Sequence, residues 1–191
     1  MTCCGFNPAA ALEQLKAAAA DGRRPRLFPF FGHRATGPGI GPWVLSQWWA
    51  VPFTVDGVTY PHAEAFMMAG KAKLFGDRTA WDKITAGVSP AAAKALGKQV
   101  RGFDQATWDA HAFGIVVAGT MAKFTQHAEL GAFLASTSPR LLVEASPYDR
   151  IWGVGLAASN PAVASPATWR GRNLLGFALT HVRDHHLTAV H

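Results

Sequence analysis

One helical signature follows another from Pro61 to Ala135, and that succession limits the chain to folds in which helices do most of the packing. PHAEAFMMAGKAKLFG opens the series, and a helix is expected around residues 80–86. Ser89-Pro90 then starts AAAKALGKQV with a capping serine and a proline at the first helical position, and residues 106–124 and 127–135 complete the run. Just before it, VPFTVDGVTY at residues 51–60 sets β-branched and aromatic residues on both sides of Asp56-Gly57. A tight hairpin turn prefers that pair because both central residues need positive φ. Short apolar runs at 27–31 and 141–145 read as strands. The expected fold class is α+β, predominantly helical, a single compact domain with a small β-hairpin or sheet element.

Toward the ends the signals are sparser. Residues 7–21, NPAAALEQLKAAAAD, carry an Asn cap, a Pro at the first helical position and an alanine-rich body closed by Gly22. We read residues 1–25 as an N-terminal helical extension and 26–191 as the main domain. Residues 146–172, SPYDRIWGVGLAASNPAVASPATWRGR, read as one long loop, a length that in compact domains is usually functional or mobile. Asn173 opens a last helix, NLLGFALTHVRDHH. With 49% hydrophobic and 16% charged residues the chain can build a core. No run approaches the roughly 18 apolar residues of a membrane span, and the start lacks the order of a secretion signal, so a cytoplasmic protein with no membrane partner is expected. The adjacent Cys3 and Cys4 cannot staple distant parts of a fold.

Eighteen basic against twelve acidic residues give a net charge of +6, which favours anionic partners such as phosphates or nucleic acid. No GxSxG elbow and no GxxxxGK[ST] loop is present, and GPGIGP at residues 37–42 holds too much proline to lead into a nucleotide-binding helix. His181 and His185 are four apart, but without a third ligand in HExxH form or paired cysteines, so neither a metal nor another cofactor is expected. Among seven tryptophans, Trp48 and Trp152 stand beside loop signals and are the candidates for stacking on a ligand.

The most informative segment is the helix at residues 63–75. With Glu64 at 0° on a helical wheel, Met67 falls near about −60°, Met68 near about +40°, Lys71 near about −20° and Phe75 near about +20°. Two charges therefore sit inside the apolar stripe, while Lys73, at about 180°, takes the polar face that was available to both. Lys71 can extend over the methionines toward Glu64 so that both heads line one cavity. An amine surrounded by apolar groups loses hydration, which lowers its pKa and makes it nucleophilic, and a nearby carboxylate opposes that shift. The alternative is a buried ion pair or a stripe whose heads snorkel to water.

Taken in order, FFG, LSQWWAVPFTVDGVTYPHAEAFMMAGKAKLFGD, KFTQHAELGAFLASTSPRLLVEASPYDRIWGVGL and GRNLLG resemble the NADAR (NAD and ADP-ribose associated), or YbiA-like, family from about Phe30 to Leu187. The resemblance implies a small, mainly helical α+β fold that hydrolyses N-glycosidic bonds to ribose. The activities it implies are removal of ADP-ribose from guanine bases in nucleic acid, or cleavage of ribosylamino intermediates of riboflavin synthesis. By position it assigns Glu64, Lys71 and Asp149 as catalytic residues, and Phe31, Gly32, Ser46, Trp48, Trp152, Gly153 and Asn173 as ligand-binding ones. The substrate would be ADP-ribose or a ribosyl-nucleotide, carried on nucleic acid in the first case. A module that binds ADP-ribose without turning it over is the rival class. Gln47 and Trp48 depart from the family's LSNF pattern, and Ala65 from its Glu-His pair.

Overall fold

In the computed structural model, residues 5–187 are described, so the reading made for Cys3 and Cys4 lies outside the described residues. In chain order the regular elements are α1 (Pro8–Ala20), β1 (Leu27–Phe30), β2 (Phe53–Val55), β3 (Val58–Tyr60), α2 (Ala63–Leu74), α3 (Arg78–Thr85), α4 (Pro90–Lys98), α5 (Gln105–Gln126), α6 (Ala128–Ser136), β4 (Leu141–Glu144) and α7 (Leu174–Val182). The fold is α+β and predominantly helical. By its internal contacts the chain divides into two units, one running through Ser46 and resuming at Glu129, the other Gln47–Ala128.

In the first unit β1 and β4 pair in parallel, with Leu27 opposite Leu141 and Phe30 opposite Glu144. Pro29 has no N–H to give, which a strand of a two-stranded sheet tolerates on its outer edge. Helix α7 packs on β4, and Leu142, Val143, Leu175 and Leu179 are buried there. Helix α1 starts where Asn7 accepts hydrogen bonds from the backbone of Ala9 and Ala10, and it packs against the turn at Pro166–Thr168. The segment expected as one long loop is more ordered than its composition suggests. It contains two 3₁₀ turns, Pro161–Ala164 and Pro166–Thr168, and Trp169 is buried with its indole N–H donating to the Val163 carbonyl at 2.9 Å. Small residues and prolines here are short capped turns, not slack chain.

In the second unit the hairpin β2–β3 turns at Asp56 (φ 51°) and Gly57 (φ 76°), the left-handed pair the sequence prefers. Phe53, Tyr60 and Phe66, with ring centroids 5.0 to 6.0 Å apart, weld the hairpin to α2. Helix α2 is enclosed by α3, α4 and α5. Its approach to α5 is close because glycines sit at the crossings: a Cβ on Gly70 would stand 2.7 Å from Ile115, and one on Gly119 would stand 2.5 Å from Phe66. Asp77 caps α3 through the Ala80 amide and accepts from the Arg101 backbone and guanidinium, which holds its carboxyl well below the usual carboxylate range. No helix among the described residues is long and apolar enough to cross a membrane.

Candidate active site

Glu64 and Lys71 belong to the second unit, on α2. The helix begins at His62, whose extended backbone lets Nδ1 accept from the Ala65 amide at 3.0 Å while Nε2 donates to the Val88 carbonyl at 2.9 Å. Both ring nitrogens are thereby used by a neutral imidazole, and burial lowers its pKa, with the charge of Lys123 adding to the effect. Glu64 follows in the first turn, 4% exposed, its own amide donating to the Gln47 carbonyl at 2.9 Å. A carboxylate at that place gains from the helix dipole.

Two turns on, Lys71 is half-buried with its Nζ 3.9 Å from the centroid of Phe103 and 5.5 Å from that of Trp108. Phe75 meets Phe103 edge-on at 5.3 Å and backs this aromatic niche. Burial lowers the Lys71 pKa, so the balance the sequence left open between desolvation and an opposing carboxylate falls to desolvation. The surroundings differ in kind from those expected. Met67 and Met68 are buried in the helical packing, Met68 against Gly97 of α4, and it is Phe103 and Trp108 that face the amine. Trp48, half-buried, has the amine of Lys94 5.9 Å from its ring.

The remaining candidates belong to the first unit. Phe31 and Gly32 leave the C-terminal end of β1, and the segment 145–153 leaves the same end of β4, where the Ala145 amide donates to the Phe30 carbonyl at 2.8 Å. Open parallel sheets bind ligands at that end of their strands. Ser46 ends the 3₁₀ turn Pro42–Leu45 and is half-buried. Two small side chains shape the β4 loop. The Ser146 hydroxyl accepts from the amides of Tyr148 and Asp149, and Asp149 Oδ1 accepts from those of Ile151 and Trp152, both at 2.8 Å. Asp149 Oδ2 receives no hydrogen bond among the described residues. At Gly153 a Cβ would stand 2.8 Å from the Glu144 carbonyl and 3.0 Å from that of Asp149, so the loop closes only over glycine.

Asn173 is fully buried in a left-handed conformation (φ 53°) at the start of α7. Its Oδ1 accepts from the Glu144 amide and its Nδ2 donates to the Leu142 carbonyl, both at 3.0 Å. The amide thus works as a clamp on β4. Phe31 is 52% exposed and Tyr148, beside Asp149, is 89% exposed.

One residue escaped the sequence reading. Lys123, on α5, is 1% exposed, its amine 5.2 Å from the Phe124 centroid, and burial pulls its pKa down to about 7. The signal was available: Ala112, Val116, Thr120 and Lys123 follow helical spacing on the buried face of α5, as Glu64 and Lys71 do on α2.

A model of the NADAR domain matches residues 36–186. An N-glycosidase of Acanthamoeba polyphaga mimivirus is 40% identical over 159 residues, covering 81% of this chain and 94% of that protein. The N-glycosidase YbiA of Escherichia coli (strain K12) is 32% identical over 140 residues, 73% of this chain and 79% of its own. The NMR structure of E. coli YbiA superposes with a TM-score of 0.67 at 28% identity, covering 84% of each chain. The chain belongs to the NADAR domain family and is, like these relatives, an N-glycosidase.

Proposed function

We propose that the bond cleaved joins ribose to a base, and that the substrate is ADP-ribosylated guanine in nucleic acid. The observation that carries this reading is the pairing, on one helix, of a buried carboxyl at Glu64 with a desolvated amine at Lys71. Breaking a ribosyl C–N bond builds positive charge at the anomeric carbon and leaves an amine that must be protonated. The C1′–O4′ bond opens first, its electron pair and a proton from solvent going to O4′ while C1′ becomes double-bonded to the base nitrogen. The neutral Lys71 amine then attacks C1′, its own surplus proton passing to solvent. Its Nζ–C1′ bond forms, the C1′–N bond to the base breaks, and the electron pair leaves on the base nitrogen, which takes a proton from Glu64. Water then adds to the resulting imine and releases the sugar and the free amine. The role that the resemblance gives Asp149, to orient or assist, rests on its match to the family's D-x-x-W-G segment.

The net charge of +6 supports the larger and more anionic substrate over a riboflavin precursor. A ligand reader gains little from a desolvated amine, and relatives named as N-glycosidases count against that class. Incubation with an ADP-ribosylated guanine oligonucleotide and with a ribosylamino-pyrimidine, followed by mass analysis of the released base, tests the substrate. Release from the pyrimidine alone would overturn the guanine assignment. Borohydride added during turnover should trap a substrate-dependent adduct at Lys71; an unmodified Lys71 would reject the covalent route.

A further inference from the structure

Two stretches of the first unit, the loop after β4 and the segment that leads into α7, are tied together through their backbones. The Arg170 amide donates to the Val154 carbonyl and the Arg172 amide to the Arg150 carbonyl, both at 2.9 Å. Two glycines allow the approach: a Cβ on Gly171 would stand 2.8 Å from Arg150 Cα, and one on Gly155 would stand 3.1 Å from both Arg150 Cγ and Arg170 Cβ. Gly171 is buried while Arg150, Arg170 and Arg172 are exposed, so one knot of chain presents three guanidinium groups to water. The exposed Arg23, Arg78 and Arg101 each meet a carboxylate, those of Asp21, Asp82 and Asp77. Arg150, Arg170 and Arg172 take part in no ion pair and no side-chain hydrogen bond among the described residues. Asp149, the acid next to Arg150 in the chain, accepts at Oδ1 from the amides of Ile151 and Trp152 and pairs with none of the three.

Like charges held together repel, so the cluster costs stability until an anion relieves it. Guanidinium groups bind phosphate oxygens through paired N–H donors. Deepening the nucleic-acid substrate proposed above, on which it rests, we propose that Arg150, Arg170 and Arg172 form a contact surface for the phosphate backbone of a nucleic-acid strand, with Tyr148 stacking on one of its bases. Tyr148, two residues before Arg150, is 89% exposed, and a ring that open to water is available to a base. The diphosphate of ADP-ribose offers the same chemistry, but a small ligand is enclosed over most of its surface, whereas these side chains lie open. An open basic face suits an extended polyanion. The same loop carries Asp149 and Trp152, so a strand held by the arginines is held beside residues that the resemblance assigns to the site.

The test is fluorescence anisotropy of a labelled, unmodified single-stranded oligonucleotide bound by the full chain between about 50 and 200 mM salt. For the wild type, log K should fall against log salt with a slope of about −2 or steeper, about 0.7 for each phosphate neutralised. The triple variant Arg150→Gln, Arg170→Gln, Arg172→Gln should lose about 2 from that slope and about tenfold or more in affinity at low salt. Lys73→Gln, Lys83→Gln, Lys98→Gln removes as much exposed charge elsewhere and should keep the slope within about 0.7 of the wild type. Tyr148→Ala should weaken binding about fivefold or more at an unchanged slope. A wild-type slope shallower than about −2 overturns the proposal even if the triple variant does not fold, and so does a wild-type slope in a folded triple variant. An equal loss of affinity for free ADP-ribose would assign the arginines to the diphosphate, and unweakened binding by Tyr148→Ala would mean that the surface reads charge alone; either result overturns it. The expected binding without release of base from the ADP-ribosylated oligonucleotide counts against the substrate assignment alone, since the unmodified strand needs no turnover.

Discussion

Helix α2 and the loop that follows β4 hold their functional groups by opposite means. On α2 the groups are charged and are tuned by what surrounds them: Glu64 is buried in the first turn, and Lys71 is desolvated on Phe103 and Trp108. In the loop the groups are small and hydrogen-bonded, and the hydroxyl of Ser146, a carboxylate oxygen of Asp149 and the amide of Asn173 are spent on backbone N–H and C=O groups. Burial adjusts reactivity, whereas hydrogen bonding to the backbone fixes shape. Substitutions of Glu64 or Lys71 should therefore change the rate with little change in stability, and substitutions of Ser146 or Asn173 should do the reverse.

The largest effect is expected on α2. Lys71→Ala and Glu64→Gln should each lower kcat by about a thousandfold or more, with affinity for the ligand within about tenfold. Steady-state kinetics beside a binding isotherm checks this, and an equal loss of binding and turnover would show that α2 holds the ligand without acting on it. The loop side comes next in size. Asn173→Ala removes both clamps on β4 and strands the Glu144 amide, which should cost about 2 to 3 kcal/mol in chemical unfolding. A variant of unchanged stability would remove the contrast between the two regions.

A smaller, graded effect separates them by pH. The folded-state pKa of Lys71 lies below its ordinary value, so the reactive neutral amine accumulates as pH rises through that lowered value. Below the midpoint the single-turnover rate should climb up to about tenfold per pH unit, with the midpoint under the usual lysine range of about 10.4. The Ser146 and Asn173 bonds involve no group that titrates near neutrality, so the loop's protection against hydrogen exchange should stay flat over the same span once the intrinsic rate is corrected. A rate that does not change with pH would mean that the amine is not the attacking group.

Local elements were legible in the sequence because their causes are local. Asn7-Pro8 and Ser89-Pro90 announce α1 and α4, Asp56-Gly57 announces the hairpin, and the helical wheel of α2 singles out Glu64 and Lys71. What the sequence withheld depends on partners far along the chain. The parallel pairing of β1 with β4 joins residues more than a hundred apart, and no pattern in LFPF names its neighbour. The aromatic rings around Lys71 come from Phe103 and Trp108, some thirty residues on, so the wheel showed that the amine points inward without showing onto what. The resemblance assigns Asn173 to ligand binding, and the sequence does not show that its side-chain amide bonds to β4, a use that depends on where α7 lands.

The smallest effect is the sharpest control on α2 itself. Lys73 lies two residues from Lys71 and shares its charge and its helix, but it is exposed, about 160° round the axis from Lys71. A lysine in water keeps its proton and its hydration, so it offers neither a nucleophile nor a strong field. Lys73→Gln should therefore leave kcat within about twofold at low and at moderate salt. A loss approaching that of Lys71→Ala would mean that net positive charge on α2, and not the removal of one amine from water, sustains the reaction, and the distinction between a tuned helix and a shaped loop would lose its physical basis.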